Sequence, residues 1–376
     1  MRALPVSLLA CALALAGPVA GQSTLRIGTW NLEHLGFRKP AREDSDFARI
    51  GAVIRELGVD VLAVQEIGGP APLAKLCREI GPSYSYVLGT TGGFYNDPGR
   101  ISVGFVWNDD RVEMVQAADL LELPRRVDKL PIFHRIPVSA VFRSRDGGLD
   151  FRAIAVHFKA GRGASNEQKR TAEVNTLGGY ITELLQGATE DRDIVVLGDF
   201  NHTYDAPAHE AFMRHGVVSY LRPAALRPTI VHFPEPIDHI ALGPGLLPER
   251  IAGSLTVHGD AAEADAASWR ETCSDHIPVT LDLSTAEDQD PTGTFRAASK
   301  EHTLLPATPE PAATEEGATP GMLKVGVTVT VITDDARHRG VLAQPLGDWV
   351  ILILPNNRVL ALPRERVREI STDNSR

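Results

Sequence analysis

Cysteine is scarce, at three in 376 residues. No Cys pair and no His-x-x-x-His stands at the spacing of a structural zinc site, and a disulfide-stapled fold is excluded. Positive charge is also in deficit. Lys and Arg number 38 against 48 Asp and Glu, a formal net charge of -10. That balance rules out a chain that holds polyanions mainly by bulk attraction, while leaving room for a few local Arg contacts or bound cations. Beyond residue 21 no apolar run is long enough to span a bilayer. A Gly-x-Ser-x-Gly elbow and a Walker-type phosphate loop are both missing.

What is present has a clear order. Residues 1–21 carry one Arg, an apolar run from Ala3 to Ala16 and the small residues Val19-Ala20-Gly21. This is the pattern of a secretory signal peptide and predicts a secreted or periplasmic protein. With Cys11 in that leader, Cys77 and Cys273 remain, and either one disulfide or two buried thiols fits them. Residues 22–284 have the length and hydrophobic content of one large domain. Residues 285–320 shift to Pro, Ala, Thr and Glu and predict a disordered linker. Residues 321–376 hold short alternating runs broken by Gly and Asp, which predict a small all-β barrel of SH3-like or Sm-like type. No ligand signature is visible in that barrel.

Within the large domain, apolar runs stop abruptly on polar residues. Val195-Val196-Leu197-Gly198 ends in Asp199-Phe200-Asn201, and strand alternation puts Asp199 and Asn201 on one side with Phe200 on the other. The same design recurs at Asn31, Glu66, His157, Asp238 and Asp275-His276. Between these strands, helices are expected at Ser45–Leu57, Pro72–Ile80 and Asn166–Leu185, a hairpin turn at Asp146-Gly147-Gly148, and a strand at Thr229–Phe233.

Strand ends of this kind, gathered in one place, suit an oxygen-ligated cation and proton transfer. Mg2+ takes one or two carboxylates and keeps its waters. Glu66 is therefore the principal candidate ligand, with Asn31 beside it. Asp199, Asn201 and Asp275 are candidates for a second cation or for orienting water, and one metal or two stays open. Asp238 is the expected partner of His276, because a carboxylate-paired imidazolium can donate to a phosphate oxygen. His34 and the remaining histidines are expected to be solvated or structural.

The motifs Thr29-Trp30-Asn31-Leu32-Glu33, Gln65-Glu66, Ala155-Val156-His157, Gly198-Asp199-Phe200-Asn201, Ile237-Asp238 and Ser274-Asp275-His276 occur in an order that resembles the endonuclease/exonuclease/phosphatase superfamily. The resemblance covers about Leu25 to Leu283. It implies a four-layered α/β sandwich, with two mixed β-sheets packed face to face and helices outside. It also implies a Mg2+-dependent phosphodiesterase or phosphomonoesterase, with Mn2+ or Ca2+ as alternative cations. The metal set would be Asn31, Glu66 and Asp275, and the catalytic set His157, Asp199, Asn201, Asp238 and His276.

The stretch from Tyr84 to Phe142 resembles the secreted deoxyribonucleases. There Arg100 and Arg135 match positions that contact backbone phosphates. In one departure, Gly99 stands where a carboxylate would pair with the first catalytic histidine, and Asp97 lies two residues earlier. The expected partner is nucleic acid, met by a monomer with no membrane span. A sphingomyelinase-like or other small-molecule phosphodiesterase on the same fold is the alternative, with Phe94-Tyr95 as its candidate membrane contact.

Overall fold

The computed structural model describes residues 24–36, 42–90, 101–286, 288, 293–300 and 302–308, together with five strands between 328 and 372. The chain divides into two units, Met1–Glu310 and Pro311–Arg376. The predicted leader, Phe94-Tyr95, Asp97, Gly99 and Arg100 lie outside the described residues.

The first unit begins with β1 (Thr24–Leu35), α1 (Asp44–Leu57), β2 (Val61–Ile67), α2 (Pro70–Ile80), β3 (Tyr84–Leu88), β4 (Ser102–Asn108) and β5 (Val112–Asp119). A short hairpin, β6 (Arg126–Val127) and β7 (Leu130–Pro131), precedes β8 (Val138–Ser144), β9 (Asp150–His157) and α3 (Ala164–Leu185). Then come β10 (Ile194–Asp199), α4 (Pro207–Met213), β11 (Ser219–Tyr220), β12 (Asp238–Leu242), β13 (Thr256–Val257), α5 (Asp260–Ala264), α6 (Ala266–Thr272) and β14 (Val279–Ser284). No strand forms at the expected Thr229–Phe233. That stretch makes only isolated bridges, from Ile230 to Phe233 and to His276.

These strands build two mixed sheets, ordered β13-β14-β1-β2-β4-β3 and β11-β12-β10-β9-β8-β5. The β1–β2 and β9–β10 pairs are parallel and their other neighbours antiparallel. The unbroken apolar runs have a direct cause, since a strand covered on both faces has no polar side to show. Along β9 and β10, Ala153, Ala155, Val195 and Leu197 join the large core between the sheets, which also takes the buried face of α1 and α2. Their alternates Ile154, Val156, Ile194 and Val196 join a second core under α3 and α4. The layers therefore run helix, sheet, sheet, helix, as expected.

Helix α1 shows how local sequence sets an element. Phe47, Ile50, Val53 and Ile54 fall on its buried face, Glu43 and Asp46 form a reciprocal capping box, and Gly58 closes it in a left-handed conformation. Both Cys77 and Cys273 are buried free thiols, so the disulfide alternative is not realised. The Cys77 thiol lies in the core beside Leu73 and Leu76, where it behaves as a small apolar group.

The stretch expected to be a disordered linker from residue 285 is, over 293–308, laid along the first unit. Thr294 bridges Glu190, Thr303 bridges Ala118 on β5, and Ala307 bridges Tyr86 on β3. Leu304 is only 7% exposed and belongs to the main core. Phe295 lies under Arg152 and Arg296 over Tyr180, so buried Leu304, paired backbone and a few side-chain contacts together seat a segment whose composition reads as linker.

In the second unit β15 (Thr328–Thr333), β16 (Arg337–Leu346), β17 (Trp349–Ile353), β18 (Val359–Pro363) and β19 (Val367–Thr372) form one antiparallel sheet, ordered β18-β17-β16-β15-β19. Val331 and Leu352 are fully buried in it.

Candidate active site

The site is written first in strand register. Asp199 ends β10 and lies opposite His157 of parallel β9 and Asp238 of antiparallel β12. One row of the second sheet thus supplies three of the expected residues. The first sheet supplies Asn31 from β1, Glu66 from β2 and Asp275-His276 just before β14. Gly198 is required here. A Cβ on it would sit 2.0 Å from the carbonyl of Val156, and its φ is +153°. Glu66 (φ 61°) and Asn201 (φ 53°) adopt left-handed backbone at strand ends, which turns their side chains out of the pleat and into the cleft.

Cross-sheet bonds bring the two rows together. Asn31 is fully buried, and its Nδ2 donates to Glu66 Oε1 at 3.1 Å and to Asp199 Oδ2 at 3.0 Å. Its Oδ1 accepts from the Glu33 backbone N–H. The amide expected to offer an oxygen to a cation thus bridges two carboxylates. Asp199 Oδ1 accepts from the Asn201 N–H at 2.9 Å. Its Oδ2 lies 3.3 Å from His157 Nε2 and 3.8 Å from His276 Nε2.

His276 is the most elaborately held group. Its Nδ1 lies 2.9 Å from Asp238 Oδ2, confirming the pairing expected from sequence. Its backbone carbonyl accepts from both Trp30 Nε1 and Trp269 Nε1 at 3.0 Å, from indoles stacked 5.8 Å apart. Asp275 Oδ1 lies 3.9 Å from its Nε2. Burial works against charge on His276, but Asp238, Asp199 and Asp275 outweigh it and hold the imidazolium up to about 10.

His157 contrasts with it. Among the described residues its buried Nδ1 has no hydrogen-bond partner. Burial first, then the nearby Arg135 and His276 charges, push its pKa well below the ordinary value, so the ring is neutral. Burial also pushes Asp199 up to about 7, with Asp238 and Glu66 adding to the rise and His276 opposing it. A nearby cation would reverse that rise.

Several contacts have no signal in the sequence. His34, expected to be solvated, donates its backbone N–H to Glu66 Oε2 at 3.1 Å and brings its ring Nε2 to 3.3 Å from the same oxygen. Its place three residues after Asn31 was the available clue. Glu33 takes two bonds from Arg270 of α6 and one from the Asp275 N–H. Arg135, expected to meet phosphate, spends Nε and Nη2 on the carbonyls of His157 and Phe158. The cause is local, since β9 ends there and its last carbonyls need donors.

A cavity of about 590 Å³ opens over these residues. Besides Glu66, His157, Asp199, Asn201, Asp275 and His276, Arg162, Arg170 and Phe233 line it. The Arg162 guanidinium lies 5.6 Å from the Phe233 ring centroid.

The donor set fits a hard divalent cation. It is rich in carboxylate oxygens, and the crowding that raises Asp199 is of the kind a cation relieves. Asp199, Asp238 and His276 each bring a ligand atom within 4.8 Å of the others. Asp238 and His276 already bond each other, and the Glu66 and Asp275 carboxylates line the same cavity.

A sandwich of two mixed sheets thus carries clustered carboxylates and an Asp–His couple at the ends of its strands. The chain belongs to the endonuclease/exonuclease/phosphatase family, whose model matches residues 28–276. It is 27% identical over 188 residues to a protein named deoxyribonuclease from Thioalkalivibrio sp. (strain K90mix), covering 49% of this chain and 48% of that one. It is 23% identical over 300 residues to endonuclease/exonuclease/phosphatase family domain-containing protein 1 of Bos taurus, covering 73% of this chain and 52% of that one. The chain thus spans about half the length of these curated relatives. The fold is shared with a crystal structure of an endonuclease/exonuclease/phosphatase from Bacteroides vulgatus. The TM-score is 0.51 at 18% identity, over 70% of this chain and 99% of that one.

Proposed function

We propose that this protein is an exported, Mg2+-dependent nuclease that hydrolyses phosphodiester bonds in DNA or RNA by in-line attack of water. The observation that carries the reading is the junction of Asp199 with both histidines, built across two sheets. Support for a nucleic-acid substrate comes from the relative named deoxyribonuclease and from Arg162 on the cavity wall. Export rests on the pattern of residues 1–21 alone. For the second unit the proposal is a small SH3-like or Sm-like barrel that binds its own partner.

In this reading Asp199 orients the attacking water through Oδ2, its other oxygen being fixed by the Asn201 N–H. His276, kept charged by Asp238, donates a hydrogen bond to a phosphoryl oxygen as negative charge grows there. Asn201 lines the pocket for the phosphate, and Glu66 with Asp275 would hold Mg2+, which supplies Lewis-acid stabilisation of the phosphoryl group when bound. His157, neutral at Nε2, can accept a proton or a hydrogen bond from water.

The mature protein, incubated with supercoiled plasmid, should nick it with Mg2+ and not with EDTA, and Asp199→Asn should lower the rate by on the order of 10³. Release of phosphocholine from sphingomyelin vesicles with plasmid left intact would overturn the nuclease reading in favour of the lipid alternative.

A further inference from the structure

The least expected feature near the cleft is how α3 and the loop before β8 hold the end of β9. Arg135 Nε donates to the His157 carbonyl at 3.2 Å and Nη2 to the Phe158 carbonyl at 2.7 Å. The same Phe158 carbonyl accepts Asn201 Nδ2 at 3.2 Å. One guanidinium is therefore tied to two of the residues placed in the site, to His157 through its own main chain and to Asn201 through a shared acceptor.

Glu173 completes the arrangement. It lies on the buried face of α3, 1% exposed. Its Oε1 accepts from the Phe133 N–H at 2.8 Å and its Oε2 from the Lys159 N–H at 2.7 Å. Phe133 stands two residues before Arg135 and Lys159 two after His157. The carboxylate thus stitches the segment that carries Arg135 to the segment that Arg135 holds. Phe133 has φ +51°, a conformation an aromatic residue adopts only when its surroundings impose it.

The need for such a device follows from the bare Nδ1 of His157. His276 is aimed by Asp238, but no described residue bonds the far nitrogen of the His157 ring. Its Nε2 can stay 3.3 Å from Asp199 only if the backbone beneath it is fixed. A planar guanidinium reaches two successive carbonyls from one side chain, which an ammonium cannot do with the same geometry.

We propose that Arg135 and Glu173 form a brace that sets His157 and Asn201, making Arg135 a positioning residue in place of the phosphate contact its sequence position suggests. The proposal rests on His157 and Asn201 acting in the reaction as described above.

The test uses the full chain with Mg2+ and two probes, bis(4-nitrophenyl) phosphate and supercoiled plasmid, in Arg135→Met, Arg135→Lys and Glu173→Gln. The brace predicts that kcat falls by about 10- to 100-fold on both probes while KM stays within about twofold, and that Arg135→Lys does not rescue. Combining Arg135→Met with His157→Ala should cost less than the product of the two single losses, because one acts through the other. A rise in KM of about tenfold at unchanged kcat, or fully multiplicative losses, would make Arg135 a phosphate ligand and overturn the proposal.

A readout free of turnover separates this from the hydrolase reading. In chelator, the brace predicts shifted His157 ring resonances and faster amide exchange at Phe158 and Lys159 in Arg135→Met, whereas unchanged signals refute it. If the wild type hydrolyses neither probe, the function proposed above falls and these signals still decide the brace. Should Arg135→Met fail to fold, the near-isosteric Glu173→Gln carries the same measurements.

Discussion

His157 and His276 face the same carboxylate and are built on opposite plans. His276 is aimed from its ring by Asp238 and anchored at its carbonyl by two indoles. His157 meets Asp199 through Nε2, but its Nδ1 has no hydrogen-bond partner among the described residues, and Arg135 holds its main-chain carbonyl. One is kept charged by three neighbouring carboxylates, the other neutral by burial beside a guanidinium. Similar positions at strand ends thus give an acid-like and a base-like imidazole, and the environment makes the assignment.

The contrast predicts unequal costs. Asp238→Asn should lower kcat by on the order of 10³, since it removes both the orientation and the charge of His276. His157→Ala should cost about 10- to 100-fold. Equal losses in the two variants would break the asymmetry. Ring 15N shifts sharpen it, with His276 reading as protonated at pH 8 and His157 as neutral at pH 6.

Stability against pH gives a third measure. His276 is raised to about 10 from an ordinary 6.5, so its contribution is complete below pH 6.5 and is lost as pH climbs through 10. Asp199 is raised to about 7 from 3.8, which favours the folded protonated form and lowers stability as pH climbs through that window. In chelator, melting temperature should therefore fall from pH 7 to pH 9, above the range in which the buried, neutral His157, His202 and His239 add stability as pH rises towards 6.5. Saturating Mg2+ should restore a few degrees, most at the alkaline end. The alkaline slope should vanish in His276→Ala and persist in His157→Ala.

The smallest effect belongs to Arg270→Ala. Its half-exposed side chain holds Glu33, which in turn accepts the Asp275 N–H. Chemical denaturation should show a loss of about 0.2–1 kcal/mol. A larger loss would mean that the first sheet's corner leans on this ion pair as the second leans on Arg135.

Much of this site was legible because strands buried on both faces read as apolar runs, and a polar residue at either end of such a run stands out. Asp199 closes β10, whereas Asp238 opens β12 and Asp275-His276 precede β14, and the Asp238–His276 couple followed from chemistry. The sequence could not show which donor satisfies a strand's last carbonyls, so Arg135 was read as facing substrate. Nor could it show that the backbone at His34 turns to φ 55° and returns its N–H to Glu66. The covering segment at 293–300 and 302–308 was hidden for a related reason, since its hold depends on main-chain bonds, Leu304 and scattered side-chain contacts.

That covering segment has a practical consequence. The catalytic motifs end with His276 and the last core strand at Ser284, yet β3 and β5 are the outer strands of two different sheets, and one later peptide runs along both. It acts as a seam. A protease cut between residues 293 and 302 would spare every site residue and still uncover two adhesive margins at once, each ready to pair with another chain. The useful lower limit of the first unit is therefore set near residue 308, by the need to keep those margins covered.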